Sequence, residues 1–317
     1  MNAAAEEAVV CVANLTKRFG AFVAVDAVSF DVGRGEIFGF LGPNGAGKTT
    51  TLRMLAGLLL PSSGGGRVAG FDILTQTESI KRRIGYMSQL FSLYGDLTVA
   101  ENIRFFSGLN GVPRVQRAAR RDWALETAGL NAQQRQLTRD LPLGWKQRLA
   151  LVCAVLHQPP ILFLDEPTSG VDPLSRRRFW DLIYDFAAHG TTVFVSTHYM
   201  DEAEYCDRLA LMNRGRLIAL DSPSGLRARM ALPLLQLQVD ASPRAVAVLQ
   251  RLPEVVDAAL FGRAVHVTVP DVARGRAAIE AALAGAGVRL RAIEPVAPSL
   301  EDVFVALVRA AGGALAG

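Results

Sequence analysis

The sequence predicts an α/β protein with a mainly parallel sheet, and two observations carry that prediction. Three short runs are almost wholly apolar: "EIFGFL" at 36–41, "ILFL" at 161–164 and "TVFVST" at 192–197. Such runs are typical of strands buried on both faces of a parallel sheet. Segments with helical periodicity lie between them, for example "PLSRRRFWDLIYDFAAHG" at 173–190. The length of 317 residues fits two domains.

The elements that precede the second apolar run can be assigned in chain order. "VVCVANLTKRF" at 9–19 and "VAVDAVSFDV" at 23–32 predict two strands that meet at a turn. "KTTTLRMLAGLLL" at 48–60 predicts a helix, which Pro61 and the "SSGGG" run are expected to end. Residues 95–140 are polar and predicted to be largely helical.

The pattern changes near residue 223, so we expect domains at 1–223 and 224–317. The second part has the order strand–helix–strand–strand–helix–strand, the ferredoxin-like α+β arrangement. A last helix is predicted to start at Ser299, whose spacing to Asp302 makes a capping box. His266 is expected at the surface or in a cross-strand pair.

Composition narrows the classes of function. The net charge of +4 is mild and no long basic block occurs, which argues against a nucleic-acid partner. Cys11, Cys153 and Cys206 are scattered, which indicates a reducing compartment and disfavours a structural zinc site. No apolar run approaches the ~20 residues that span a bilayer. Any membrane role is therefore expected to come through a partner.

A glycine-rich loop joins the first apolar strand to a helix. "GPNGAGKT" at 42–49 matches the spacing G-x-x-x-x-G-K-[ST]. Its backbone N–H groups and the helix N-terminus make a cradle for phosphates. Lys48 is predicted to reach the β- and γ-phosphates, and the Thr49 hydroxyl to bind Mg²⁺. The predicted nucleotide-binding residues here are Gly42, Pro43, Asn44, Gly45, Ala46, Gly47, Lys48, Thr49 and Thr50.

Two carboxylates end the second apolar run. "ILFLDE" delivers Asp165 and Glu166 to the carboxyl end of a buried strand, where ligands of open α/β sheets bind. Asp165 is predicted to hold Mg²⁺ through water. Glu166 is predicted to polarise the attacking water as a general base.

Together with "YMSQ" and "VSTH", these segments resemble the ABC-type ATPases, the nucleotide-binding subunits of ABC transporters. The likeness runs over about residues 8–222 and is carried by "GPNGAGKTT", "YMSQ", "ILFLDEPTSGVDP" and "VSTH" in that order. It implies a P-loop NTPase core with a helical subdomain, and ATP and Mg²⁺ as cofactors. A GTPase is disfavoured because the chain has no N-K-x-D motif, and an adenylate-type kinase because "LDEPTSGVDP" belongs to ABC proteins.

The resemblance assigns roles to four further residues. Phe19 falls where an aromatic ring stacks on adenine, and Gln89 matches the glutamine that touches Mg²⁺ or the attacking water. Asp172 matches the D-loop, which crosses to the other subunit, and His198 the switch histidine at the γ-phosphate. Residues 92–106 match the helical subdomain that receives coupling helices of the membrane subunit.

The least usual stretch is "LPLGW" at 141–145, which we call the signature segment. ABC ATPases typically have L-S-G-G-Q here, at the start of a helix that covers the ATP of a second, head-to-tail cassette. Pro142 takes the place of the serine, Leu143 and Gly144 those of the glycines, and Trp145 that of the glutamine. The serine hydroxyl is therefore absent, while the helix dipole and the Gly144 and Trp145 amides are expected to face the phosphate.

A lost charge-assisted hydrogen bond costs about 1.5–3 kcal/mol, which is ~10–100-fold in affinity or rate. The signature segment therefore predicts a weakened but working lid. Unchanged activity, with Pro142 and Leu143 as neutral packing choices, is the alternative. Some second cassettes of tandem ABC-2-type exporters resemble this variant.

The second domain, ending in "PSLEDVFVAL", resembles the tail of ABC-2-type exporter ATPases of the daunorubicin-resistance kind. This implies an ATPase that powers export of drug-like or lipid-like compounds. Its partners would be ABC-2-type permease subunits and a second cassette, identical or with a standard signature, at the cytoplasmic face of the inner (plasma) membrane. A soluble ABC ATPase acting on ribosomes or DNA, and a regulatory cassette of low activity, are the alternatives. The sequence does not name the cargo.

Overall fold

The computed structural model describes residues 8–89, 93–230 and 232–310. The chain folds as two units, and the division between them falls between Pro223 and Ser224. Each unit has its own buried apolar core. The predicted α/β class is confirmed by the mainly parallel sheet of the first unit.

The first unit contains ten strands and most of the helices among the described residues. Its strands are β1 (Ala8–Phe19), β2 (Phe22–Gly33), β3 (Ile37–Leu41), β4 (Ser63–Val68), β5 (Phe71–Asp72), β6 (Ile84–Met87), β7 (Ile161–Asp165), β8 (Thr192–Thr197), β9 (Arg208–Asn213) and β10 (Arg216–Asp221). Its helices are α1 (Lys48–Leu55), α2 (Thr77–Lys81), α3 (Val99–Leu109), α4 (Arg117–Ala128), α5 (Leu143–Ala154), α6 (Pro173–Ala188) and α7 (Met200–Ala203); α8 (Pro223–Ala228) follows at the division.

Six strands form the central sheet, in the spatial order β10-β9-β3-β8-β7-β6. All neighbours are parallel except the hairpin of β9 and β10. The three apolar runs of the sequence are its middle strands β3, β7 and β8, and every residue of these strands is buried. The carboxyl ends of β3, β7 and β8 therefore lie side by side, where ligands of such sheets bind.

A second sheet of the first unit is antiparallel, in the order β2-β1-β4-β5. The "SSGGG" run, read in the sequence as a helix breaker, supplies most of strand β4. A Cβ at Gly66 would lie 2.4 Å from the carbonyl oxygen of Cys11, so the absent side chains let β4 approach β1 closely. The preceding helix α1 ends at Leu55 rather than at residue 60.

Helices α3, α4 and α5 enclose a separate apolar cluster between residues 99 and 156, as expected for the helical subdomain. Helix α3 begins with a complete capping box between Thr98 and Glu101. Tyr94 and Phe105 of this region remain partly exposed, with ring centroids 4.7 Å apart.

The second unit is an antiparallel sheet with the order β12-β13-β11-β14, the order of a ferredoxin-like sheet. Its elements are β11 (Leu234–Val239), α9 (Ser242–Leu249), β12 (Asp257–Phe261), β13 (Ala264–Thr268), α10 (Val272–Gly285), β14 (Leu290–Val296) and α11 (Leu300–Ala310). The capping box of Ser299 and Asp302 is confirmed, since each accepts from the other's backbone N–H. Residues 311–317 of the predicted domain lie outside the described residues.

His266 is buried, which corrects the expectation of a surface residue. It pairs across the strands with Gln236 at 3.1 Å, and its other ring nitrogen contacts Asp302 at 2.7 Å. The cross-strand alternative is therefore the one confirmed.

Candidate nucleotide site

The loop between β3 and α1 is shaped by its glycines. Gly47 caps α1 with φ 102°, a left-handed conformation that side chains disfavour. A Cβ there would lie 2.6 Å from the Ala24 carbonyl oxygen, so both the φ angle and the packing require glycine. The loop lines a cavity of about 260 Å³, whose lining is Phe22, Ala24, Asn44, Gly45, Ala46, Gly47, Lys48, Thr49, Thr50, Gln89 and Glu166.

Lys48 is held inside the loop, with 3% of its side chain exposed. Its Nζ donates to the carbonyl oxygens of Gly42 at 2.7 Å and Pro43 at 3.1 Å, and lies 3.5 Å from Glu166 Oε1. Burial lowers the pKa of Lys48, and the negative charge of Glu166 offsets part of that effect. The ammonium is thus held at the phosphate loop by two carbonyl oxygens and a carboxylate.

Asp165 and Thr49 meet at the carboxyl ends of the middle strands. Asp165 Oδ1 accepts hydrogen bonds from Thr49 Oγ1 at 2.8 Å and from Ser196 Oγ at 2.7 Å. Asp165 Oδ2 is buried and, among the described residues, has no hydrogen-bond partner. A cation or an ordered water can satisfy a buried carboxylate oxygen that has no donor. The residues present therefore fit the predicted Mg²⁺.

Glu166 is the point where the predicted catalytic residues converge. Its Oε2 accepts from Gln89 Nε2 at 3.1 Å and lies 3.5 Å from His198 Nδ1. Its φ is 47°, unusual for a residue with a side chain, and its N–H donates to Ser196 Oγ at 3.0 Å. The structure thus brings Lys48, Gln89 and His198 to a single carboxylate.

Phe19 and Phe22 face each other in the β1–β2 hairpin and are both exposed, by 51% and 64%. Phe22, which sequence reasoning missed, is the one that lines the cavity beside the phosphate loop. Phe19 lies at the end of β1, with Lys17 Nζ 5.2 Å from its ring centroid. Adenine stacking by Phe19 remains a prediction.

The signature segment starts helix α5 at Leu143, with Pro142 as its N-cap and no side chain closing the first turn. A Cβ at Gly144 would lie 2.6 Å from both Cβ and Oγ of Ser175, so this helix start packs closely on α6. The Trp145 N–H donates to the Pro142 carbonyl oxygen at 3.0 Å. Because the Trp145 amide is used inside the helix, the expectation that two amides face a phosphate is corrected. A phosphate-facing amide remains a prediction for Gly144.

Asp172 is exposed and caps α6, its carboxylate accepting from the Ser175 N–H at 2.9 Å. This hydrogen bond holds the pKa of Asp172 below its ordinary value. The contact of Asp172 with another subunit remains a prediction.

Ser196 is a second residue of this site that sequence reasoning missed. It joins Asp165 to the Glu166 backbone, since its hydroxyl donates to the first and accepts from the second. The sequence feature that could have indicated it is a polar residue near the carboxyl end of an apolar strand, two positions before His198.

This site, at the carboxyl end of a mainly parallel sheet, is that of a P-loop ATPase. Residues 25–169 match the family described as "ABC transporter", and the chain belongs to the ABC transporter ATP-binding proteins. It is 34% identical over 300 residues to the daunorubicin/doxorubicin resistance ATP-binding protein DrrA of Streptomyces peucetius, covering 92% of this chain and 90% of that protein.

Two further likenesses concern mainly the first unit. The chain is 53% identical over 225 residues to the probable multidrug ABC transporter ATP-binding protein YbhF of Escherichia coli (strain K12). That match covers 71% of this chain but 39% of YbhF. A dimeric ATP-binding cassette, MJ0796, solved with ADP and Pi, has a TM-score of 0.62 at 25% identity, covering 67% of this chain and 98% of its own.

Proposed function

We propose that this chain hydrolyses ATP at its phosphate loop, beneath the signature segment of a second cassette, and so powers a membrane exporter. The observation that carries the proposal is the convergence on Glu166. Lys48 and His198 each lie 3.5 Å from its carboxylate oxygens, and the Gln89 amide 3.1 Å. Such a group can bind a phosphate, orient a water and accept its proton.

In this proposal the chain's own residues do the following. The loop amides and Lys48 bind the β- and γ-phosphates, and Gln89 and His198 orient a water toward the γ-phosphorus. Glu166 takes a proton from that water as the new P–O bond forms, and the bond from the γ-phosphorus to the β–γ bridging oxygen breaks to release ADP. Thr49, Asp165 and Gln89 would hold Mg²⁺, which supplies charge neutralisation when bound.

The partners and cargo belong to the proposal. The relatives are named for multidrug transport and for daunorubicin/doxorubicin resistance, which supports an exporter of drug-like or lipid-like compounds. No helix in the described part of the chain is long and apolar enough to cross a membrane. In this proposal an ABC-2-type permease brings the chain to the cytoplasmic face of the membrane.

Affinity purification of the full chain from detergent-solubilised cells tests the proposal. We expect a membrane permease and an ATPase cassette to co-purify, and the complex to hydrolyse ATP. Glu166→Gln should keep the same partners and lose turnover. Recovery of ribosomal proteins or nucleic acid instead would favour the soluble alternative. A complex with the permease that binds ATP without turnover would favour a regulatory cassette.

A further inference from the structure

Glu202, in the short helix α7, is a buried carboxylate outside the predicted site, with 1% of its side chain exposed. A buried charge is costly unless charged or hydrogen-bonding partners compensate it. Its neighbours therefore indicate what the charge is for.

Three side chains contact the two carboxylate oxygens. Thr168 Oγ1 donates to Oε1, and Thr197 Oγ1 donates to Oε2 at 2.7 Å. Arg176 Nε lies 3.3 Å from Oε1 and supplies the positive charge. One carboxylate thus joins the stretch that carries Thr168 and Arg176 to the stretch that carries Thr197, which lies five residues from Glu202 in the sequence.

Each of these segments carries a residue of the proposed site. Thr168 lies two positions after Glu166, and Thr197 directly precedes His198. Arg176 lies in the first turns of α6, which Asp172 caps.

Arg176 is also connected to His198 through the ring of Tyr199. Its guanidinium carbon lies 4.4 Å from the ring centroid of Tyr199. The Tyr199 ring in turn lies 4.1 Å from that of His198.

We propose that Glu202 is a positioning residue for hydrolysis. Its carboxylate fixes the loop that carries Glu166 to the loop that carries His198, and Arg176 connects both to the segment at Asp172. This role rests on the proposed function of Glu166 and His198. None of the Glu202 contacts described above involves the phosphate loop or another predicted nucleotide-binding residue.

The carboxylate cannot be replaced by an amide without conflict. Thr197 Oγ1 accepts from the Tyr199 N–H at 3.0 Å and donates its own proton to Glu202 Oε2 at 2.7 Å. A glutamine NH₂ group at one of the two oxygen positions would meet a hydroxyl proton, or leave a threonine without its acceptor. It would also remove the charge that faces Arg176.

The test compares Glu202→Gln with the wild-type chain in steady-state hydrolysis and in ATP binding by calorimetry. Turnover should fall about ten-fold, because misplaced catalytic groups act mainly on kcat. ATP affinity should stay within about two-fold, since the phosphate loop is untouched. Glu78→Gln is the matched control, because it makes the same chemical change at a carboxylate that shares none of these contacts. Glu78 is 73% exposed and pairs with Lys81 at 2.7 Å on helix α2, and its loss should leave turnover unchanged.

Turnover of Glu202→Gln within about two-fold of wild type would overturn the positioning role, as would an equal loss of ATP affinity and kcat. Thr197→Val provides a second variant that removes a single hydroxyl. The two substitutions remove the same contact, so their effects on turnover should not be additive in free energy. The double variant should therefore turn over ATP little more slowly than Glu202→Gln alone. Multiplying losses would contradict the shared contact.

Glu166→Gln separates the two levels of the proposal. Normal turnover in that variant would overturn the proposed function and the role of Glu202 with it. An inactive Glu166→Gln beside a fully active Glu202→Gln would overturn the positioning role alone.

Discussion

The phosphate loop and the signature segment are both helix N-termini, yet they are built in different ways. Helix α1 begins after a left-handed Gly47, and its first residues Lys48 and Thr49 add an ammonium and a hydroxyl to the backbone amides. Helix α5 begins after Pro142 without any side-chain cap, and its first residue is Leu143. One helix start combines charge, hydroxyl and dipole, whereas the other offers a dipole and little else.

This contrast indicates how the work of the proposed site is divided. The residues proposed to hold phosphates and activate water all come from the first unit of one chain, and the structure already brings them into contact with one another. The signature segment contacts α6 instead, through Gly144 and Ser175. We therefore expect changes at the phosphate loop to act on this chain's own ATP, and changes at the signature segment to act on a partner's ATP.

The largest expected effect is that of Glu166→Gln. Hydrolysis should slow by roughly 10²–10⁴-fold, the usual contribution of a general base, while ATP binding is retained. An ATP-bound dimer should then accumulate and be visible by gel filtration. Unchanged turnover would remove Glu166 from the role of base.

Lys48→Ala should weaken ATP binding by about 100-fold, because the phosphates lose a buried cation and its charge-assisted hydrogen bonds. Lys81→Ala is the matched control, since Lys81 is exposed and pairs with Glu78 on helix α2. Calorimetry on both variants checks this. Equal affinities would mean that the phosphates bind elsewhere.

Gly144→Ala should destabilise the chain by about 1–3 kcal/mol, because the new methyl group would overlap Ser175 and push α5 away from α6. Gly285→Ala, at the end of helix α10, is the control, since a Cβ there meets nothing within 4 Å. Denaturant unfolding of both variants measures the difference. Equal stability would mean that the close approach of α5 and α6 is not tightly constrained.

Deleting residues 224–317 should have the smallest effect, leaving a folded protein whose ATP affinity stays within about two-fold of the full chain. The reason is that the buried cluster around the phosphate loop lies within residues 10–212, while that of the second unit lies within 235–293. Circular dichroism and calorimetry check this. An insoluble product would mean that the two units fold together.

Local patterns made the α/β class and most of the site predictable. The strands β3, β7 and β8 were visible as apolar runs, and Lys48, Asp165 and Glu166 follow from spacing alone. Contacts between distant segments were not predictable. The glycine-rich run of strand β4 was predicted only to end a helix. Its pairing with β1 depends on tertiary contacts that the local sequence does not show. For the same reason Ser196 and Glu202 escaped notice, since only folding brings them beside the loop of Glu166.

The signature segment marks another limit of the sequence. Its alignment predicted two phosphate-facing amides, but the first turn of α5 uses the Trp145 amide internally. Which amides a helix start leaves free depends on backbone geometry that residue types alone do not specify.

The functional interpretation of the two helix starts rests on one prediction, that the signature segment is a weakened lid over a partner's ATP. Steady-state hydrolysis by the full chain, compared with the double variant Pro142→Ser with Leu143→Gly, is the decisive measurement. The restored hydroxyl supplies one charge-assisted hydrogen bond, so turnover of the homodimer should rise by about 10–100-fold. ATP affinity measured on the monomer should stay unchanged, because each chain's own phosphate loop is intact. Equal turnover of the two proteins would contradict the weakened lid and leave Pro142 and Leu143 as neutral packing choices.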